Sequence, residues 1–155
     1  MLSGSVALGA YTLPRATRDF DFIINIKEKD TGLFSEYFKT GYYYDEDAVT
    51  EAIRQKGMFN IIDHSSGFKA DFIILKNSVY RRNEFERRIK IEIFGMSVYI
   101  ASAEDLLLSK LTWIQDFQSG LQTEDIKSLI QYKHIDMQYV FYWIKELELN
   151  TFGLI

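Results

Sequence analysis

The chain has 155 residues, 47% of them apolar and 26% charged, which excludes wholesale disorder and allows one compact domain with a real core. There is no cysteine, so disulfide scaffolds, zinc-thiolate sites, iron–sulfur clusters and cysteine nucleophiles are excluded. The net charge of −4 argues against coating duplex nucleic acid by bulk charge, though not against a local basic groove. No apolar run is long enough to span a membrane, and the first residues lack a signal-peptide pattern, so a cytoplasmic, non-membrane protein is expected.

Gly4-Ser5 precedes a short helical stretch over 6–11, which Pro14, the single proline, closes off. Residues 20–26 read as a strand with Phe20, Phe22, Ile24 and Ile26 on one face and Asp19 and Asp21 on the other. Residues 33–38 and 46–55 read as helices, and 58–63 and 68–75 as strands about a turn at Ser65-Ser66-Gly67. A helix over 79–87 and a hairpin about Gly95 follow, and beyond residue 101 the pattern is helical to the end. Ser102 opens the first of these helices, with Asp105 three positions on. Ala103, Leu106, Leu107, Lys110, Leu111 and Ile114 share one face of it at helical spacing. A second helix covers 123–132, and a third is capped by Asp136 and carries Val140, Trp143, Ile144 and Leu147 on its buried side. The expected class is α/β (α+β), with a mixed sheet flanked by helices over 1–100 and a helical bundle over 101–155.

The sharpest chemical signal is Asp19-Phe20-Asp21 inside an apolar strand. Side chains two apart on a strand point the same way, so the two carboxylates project together, close enough to share a hard divalent cation. Asp71 interrupts a second apolar strand and would supply a third carboxylate. That is the donor set of a two-cation site, which clamps the attacking and leaving oxygens of a phosphoryl displacement. Gly4 would let backbone approach a ligand. Lys110 lies on an otherwise apolar helix face, where a lysine either snorkels to solvent or serves a site. Arg81, Arg82, Arg87, Arg88 and Lys90 read as a solvated helix face balanced by Glu84 and Glu86; a groove wall for triphosphate or RNA is the other reading. His64 and His134 have no partner at metal-ligand spacing and are expected at the surface.

Gly4-Ser5, then Pro14-Arg15-x-Thr17-Arg18-Asp19-x-Asp21, then Asp71 on a later strand resembles the polymerase β-like nucleotidyltransferase superfamily. More narrowly the chain is similar to the AbiEii/AbiGii toxin-type group of bacterial nucleotidyltransferases, through Tyr80-Arg81, Phe85-Glu86-Arg87-Arg88, Ser102-x-Glu104-Asp105-Leu106 and Ser109-Lys110-Leu111. Ser119-x-x-Gln122-x-x-Asp125-Ile126 and Ile135-Asp136-x-x-Tyr139-x-x-x-Trp143 extend the likeness. The resemblance implies that Asp19, Asp21 and Asp71 are catalytic and hold Mg²⁺ or Mn²⁺. It implies that Gly4, Ser5, Lys110 and Arg18 bind the NTP, with Arg15, Arg88 and Asp125 in secondary roles. A nucleoside monophosphate would pass to an acceptor hydroxyl on RNA, protein or a small molecule of the antibiotic type, and a cognate antitoxin would be a partner. A non-catalytic nucleotide- or partner-binding module is the alternative. Members of the group carry a helix and strand ahead of Gly-Ser, whereas three residues precede it here, so a truncated first strand is expected.

Overall fold

A computed structural model describes all 155 residues. In chain order the elements are α1 (Gly4–Leu8), β1 (Asp19–Ile24), α2 (Thr31–Phe38), β2 (Tyr42–Tyr43), α3 (Glu46–Gln55), β3 (Met58–Asp63) and β4 (Lys69–Ile74). Then come α4 (Val79–Glu86), β5 (Ile89–Ile93), β6 (Met96–Ile100), α5 (Ala103–Trp113), α6 (Gly120–Ile130) and α7 (Met137–Glu146). The main sheet runs β1-β4-β3-β2, with β1 parallel to β4 and the other pairs antiparallel; β5 and β6 form a separate hairpin. Its turn places Phe94 at φ 50° and Gly95 at φ 76°, the doubly left-handed geometry that matches the twist of a two-residue hairpin loop.

Alternation divides the sheet into two unlike faces. Phe22, Phe72 and Phe59 lie in register across β1, β4 and β3, and their rings stack at 5.3 Å between neighbours. Phe34 and Phe38 of α2 close edge-on against Phe72, and Val49, Ala52 and Ile53 of α3 complete this core. α3 forms where expected because Asp45 accepts the amide of Ala48 and starts it, and Lys56 ends it in the left-handed region. The opposite face carries Asp19, Asp21, Ile23, Lys69, Asp71 and Ile73.

The residues ahead of Gly4 act as a one-residue strand. Leu2 bridges Phe22 of β1 on one side and Ile100 of β6 on the other. Four backbone bonds of 2.7–2.9 Å carry it: Ser3 N–H to Asp21 O, Ile23 N–H to Met1 O, Leu2 N–H to Tyr99 O, and Ala101 N–H to Leu2 O. This stub joins the hairpin to the main sheet and covers part of the β1 edge.

The helical part differs from the pattern in one respect. One apolar face was expected on α5, yet every residue from Ala103 to Leu111 is buried. α5 packs against α1, α6 and α7, and Leu106, Leu107, Leu108 and Leu111 join the larger core cluster together with Leu2, Ala7, Leu8 and Ile100. Ser102 does cap it, accepting the amide of Asp105. The Asp105 carboxylate does not return to the cap backbone; it accepts from Ser102 Oγ (2.7 Å), Arg87 Nε (3.0 Å) and Tyr139 Oη (2.7 Å). β2 was not foreseen as a strand: Tyr42 and Tyr43 pair with Ile62 and Asp63, but two residues are too few to show alternation.

The aromatic ladder predicts a measurable cost. Phe72→Ala removes the middle ring of a three-ring stack and leaves a cavity under α2. We expect a loss of about 3–5 kcal/mol in denaturant unfolding; a loss below 1 kcal/mol would contradict the ladder.

Candidate functional site

The parallel register sets Asp21 directly opposite Asp71, and Asp19 opposite Lys69. All four side chains project from the same sheet face. Asp71 is buried, Asp21 is half-buried and Asp19 is exposed. Lys69 Nζ lies 2.8 Å from Asp71 Oδ2 and 3.8 Å from Asp19 Oδ1, so an ammonium bridges two of the three carboxylates. The three do not close into a preformed acidic metal cluster. Burial pushes the Asp21 carboxyl above its ordinary range; the negative charges of Asp71 and Asp19 push the same way, and Lys110 and Lys69 only partly offset them. The Lys69 ammonium is raised through its hydrogen bond to Asp71.

Gly4 faces this pair with φ at +57°. A Cβ built there would lie 1.8 Å from Asp21 Oδ2, so both the backbone conformation and the space require glycine. Beside it opens a cleft of about 570 Å³ between the ionic sheet face and the helices. Gly4, Ser5, Asp21, Arg81 and Lys110 supply polar walls, and Ile23, Met58, Ile73, Leu106 and Trp113 supply apolar ones.

Lys110 does not snorkel. Its side chain is 4% exposed, and Nζ donates to Asp125 Oδ2 (2.7 Å) and Gln122 Oε1 (3.0 Å) on α6. Burial lowers its pKa against the pull of Asp125. An ammonium has three donors, and the third is left for the cleft that Lys110 lines. Arg15 reaches the same carboxylate with Nε (3.3 Å) and Nη2 (3.1 Å), and Nη2 also donates to Ser5 Oγ. Although burial alone would raise Asp125, the hydrogen bonds from Arg15 and Lys110 hold it below the usual carboxylate range. The chain Ser5–Arg15–Asp125–Lys110–Gln122 thus ties the start of α1 to α5 and α6.

Of the residues singled out in the sequence, Gly4, Ser5, Asp21 and Lys110 border the cleft, with Asp19 and Asp71 on the adjoining sheet face and Arg15 and Asp125 directly behind. Arg18 is exposed and its side chain makes no hydrogen bond or ion pair; only its backbone carbonyl is used, by Lys69 N–H. Arg88 lies over the rings of Phe85 and Tyr99, away from the cleft. His64 and His134 are exposed. The expected solvated face at 81–90 is corrected. Arg81 pairs with a fully buried Glu84, and Arg87 pairs with Glu104 and Asp105, so Arg82, Glu86 and Lys90 remain as exposed charge and the half-buried Arg88 has no carboxylate partner. Lys69 is the site group that pattern reading passed over, and Arg81, on the cleft wall, follows the groove-wall reading of its segment rather than the solvated one. Lys69 was legible as the same-face neighbour, two residues back, of Asp71.

No protein-family model and no curated protein matches the chain. Among solved structures it is similar to the lincomycin-bound lincosamide antibiotic adenylyltransferase LnuA. The TM-score is 0.53 at 15% sequence identity, over 85% of each chain. The likeness shows a shared nucleotidyltransferase fold. No helix is long and apolar enough to cross a membrane.

The raised Asp21 pKa has a testable sign. In the window between its raised folded value and its ordinary value of 3.8, the folded state holds a proton that the unfolded chain does not. Asp21 therefore adds stability as pH falls through the folded pKa and withholds it above. Asp21→Asn should melt at the same or a higher temperature than wild type at pH 7 in chelator, and the difference should shrink towards acid pH. A variant that melts lower at pH 7 would refute the repulsion.

Proposed function

We propose that this protein transfers a nucleoside monophosphate from an NTP to the hydroxyl of a small acceptor, releasing pyrophosphate. The observation that carries the reading is the in-register Asp21–Asp71 pair with Gly4 packed against the Asp21 carboxylate. The donor set fits a hard divalent cation: it is all oxygen, and it is desolvated and self-repelling at Asp21, so a cation there relieves a cost already present. Asp21, Asp71 and Asp19 would hold Mg²⁺ or Mn²⁺, which when bound neutralises charge on the phosphates and on the attacking oxygen. In this reading Gly4 and Ser5 give the triphosphate a backbone wall without side-chain obstruction, and Lys110 adds its remaining N–H. Asp71 takes the proton of the acceptor hydroxyl once Lys69 has turned away from it. Catalysis then rests on positioning and charge rather than on a protein nucleophile.

A small acceptor is favoured over RNA because two of the arginines that could have lined a polyanion groove are committed internally, Arg15 to Asp125 and Arg87 to Asp105. The apolar walls from Ile23, Met58, Ile73, Leu106 and Trp113 suit an amphipathic organic molecule, and LnuA is an adenylyltransferase of an antibiotic. The toxin–antitoxin setting rests on the motif resemblance alone.

The test is incubation with each of four labelled NTPs and Mg²⁺ against hydroxyl-bearing small molecules, lincosamides among them, with total RNA and casein as the competing acceptor classes. Label should move to a small molecule, and Asp21→Asn should lower transfer by about 10²–10³-fold or more with the fold intact. Full turnover in that variant would refute the site, and labelling of RNA alone would refute the acceptor class. Gly4→Ala should also abolish transfer, and should destabilise by about 1–2 kcal/mol from the left-handed backbone alone, read as a lower midpoint in denaturant.

A further inference from the structure

Arg81 sits on the first turn of α4 and borders the same cleft as Gly4 and Asp21. Its Nη1 donates to Glu84 Oε2 (2.8 Å) and to Ser109 Oγ (3.0 Å), and Ser109 Oγ donates to Glu84 Oε1 (2.9 Å). Both oxygens of a carboxylate with no solvent exposure are thereby satisfied by a closed ring of three residues. A purely neutralising ion pair places the two arms of the guanidinium fork on the two carboxylate oxygens. Here one nitrogen makes both bonds. The two N–H donors on Nη2 and the one on Nε have no protein partner, and the side chain is 27% exposed. Ser109, which fixes the ring from α5, is the residue before Lys110, so one turn of α5 orients both cations toward one cleft.

We infer that Arg81 binds a phosphate oxygen of the bound nucleotide through its unused Nη2 and Nε donors, with Glu84 and Ser109 as the residues that position it. The inference rests on the nucleotide reading of the cleft and adds a residue to it. A planar guanidinium matches two phosphate oxygens as a fork, and the cleft already holds the complementary features, the glycine wall at Gly4 and the third N–H of Lys110. A fully buried carboxylate is costly to keep unless its partner is needed where it stands, and Glu84 holds Arg81 at the cleft wall without occupying its outer edge.

The experiment is titration calorimetry of the full chain with tripolyphosphate and with the four NTPs in Mg²⁺, with thermal melts alongside. Arg81→Met alone would leave Glu84 buried and unpaired, so the informative variant is Arg81→Met combined with Glu84→Gln, which removes both charges and keeps an acceptor for Ser109. It should melt near wild type and lose about ten- to a hundredfold in affinity for both probes. Glu84→Gln alone keeps the guanidinium and a side-chain oxygen to orient it, and should lose clearly less affinity than the double variant. Equal affinity in wild type and the double variant overturns the inference while leaving the nucleotide reading in place. So does a loss in Glu84→Gln as large as in the double variant, which assigns the effect to packing. A wild-type protein that binds neither tripolyphosphate nor any NTP overturns the nucleotide reading itself, and this inference with it.

Discussion

α5 is buried from Ala103 to Leu111, and a buried stretch of helix cannot carry an unpaired polar group. Its sequence nevertheless includes Glu104, Asp105, Ser109 and Lys110, all buried. Each has its partner on another element. Glu104 takes Arg87 and the amide of Asp136, Asp105 takes Arg87 and Tyr139, Ser109 takes Arg81 and Glu84, and Lys110 takes Asp125 and Gln122. These pairings fix where α4, α6 and α7 lie around α5 far more narrowly than leucine packing could, because apolar contact has no direction and a hydrogen bond has. Two of them, Ser109–Arg81 and Lys110–Asp125, also set cations on the cleft. The group that holds the helices together and the group that shapes the site are largely the same.

The sheet solves a different problem. Its inner face is held by Phe22, Phe72 and Phe59 stacked in register, so the register of β1 on β4 is strongly specified: a one-residue slip would turn the aromatic ladder outward and the aspartates inward. That register also places Asp21 opposite Asp71. The repulsion at the site is thus sustained by aromatic packing on the reverse side of the same strands. Lys69 moderates it from within, and a divalent cation would do so more completely. The stub at Leu2 matters here too, since Ser3 N–H binds Asp21 O and Ile23 N–H binds Met1 O, pinning β1 on both sides of the Asp21 carboxylate.

Much of this was legible. Alternation in Phe20–Ile24 separated the aspartate face from the phenylalanine face, and cap residues Ser102 and Asp136 marked helix starts that the structure keeps. Such features are local: a strand's two faces and a helix's first amides are decided within a few residues, so the chain states them directly. The run from Arg81 to Lys90 shows where that stops. Its charges alternate in sign as on a solvated helix, yet Arg81 and Arg87 turn inward to partners 17 to 28 residues away on α5. Lys110 shows the same limit, because a lysine on an apolar face reads alike whether its ammonium meets water or Asp125.

The sequence by itself determined the element types, the two-faced sheet and the residue types able to handle metal and phosphate, because these follow from periodicity, capping and side-chain chemistry. Only the tertiary structure decided that Asp21 meets Asp71 across parallel strands, that Gly4 closes on Asp21, and that Arg15 and Lys110 share Asp125. Each of these joins residues about 15 to 110 positions apart; aromatic packing on the reverse face selects the first, and the desolvation of charges in a crowded interior selects the last. That energy exists only once the chain has folded around them.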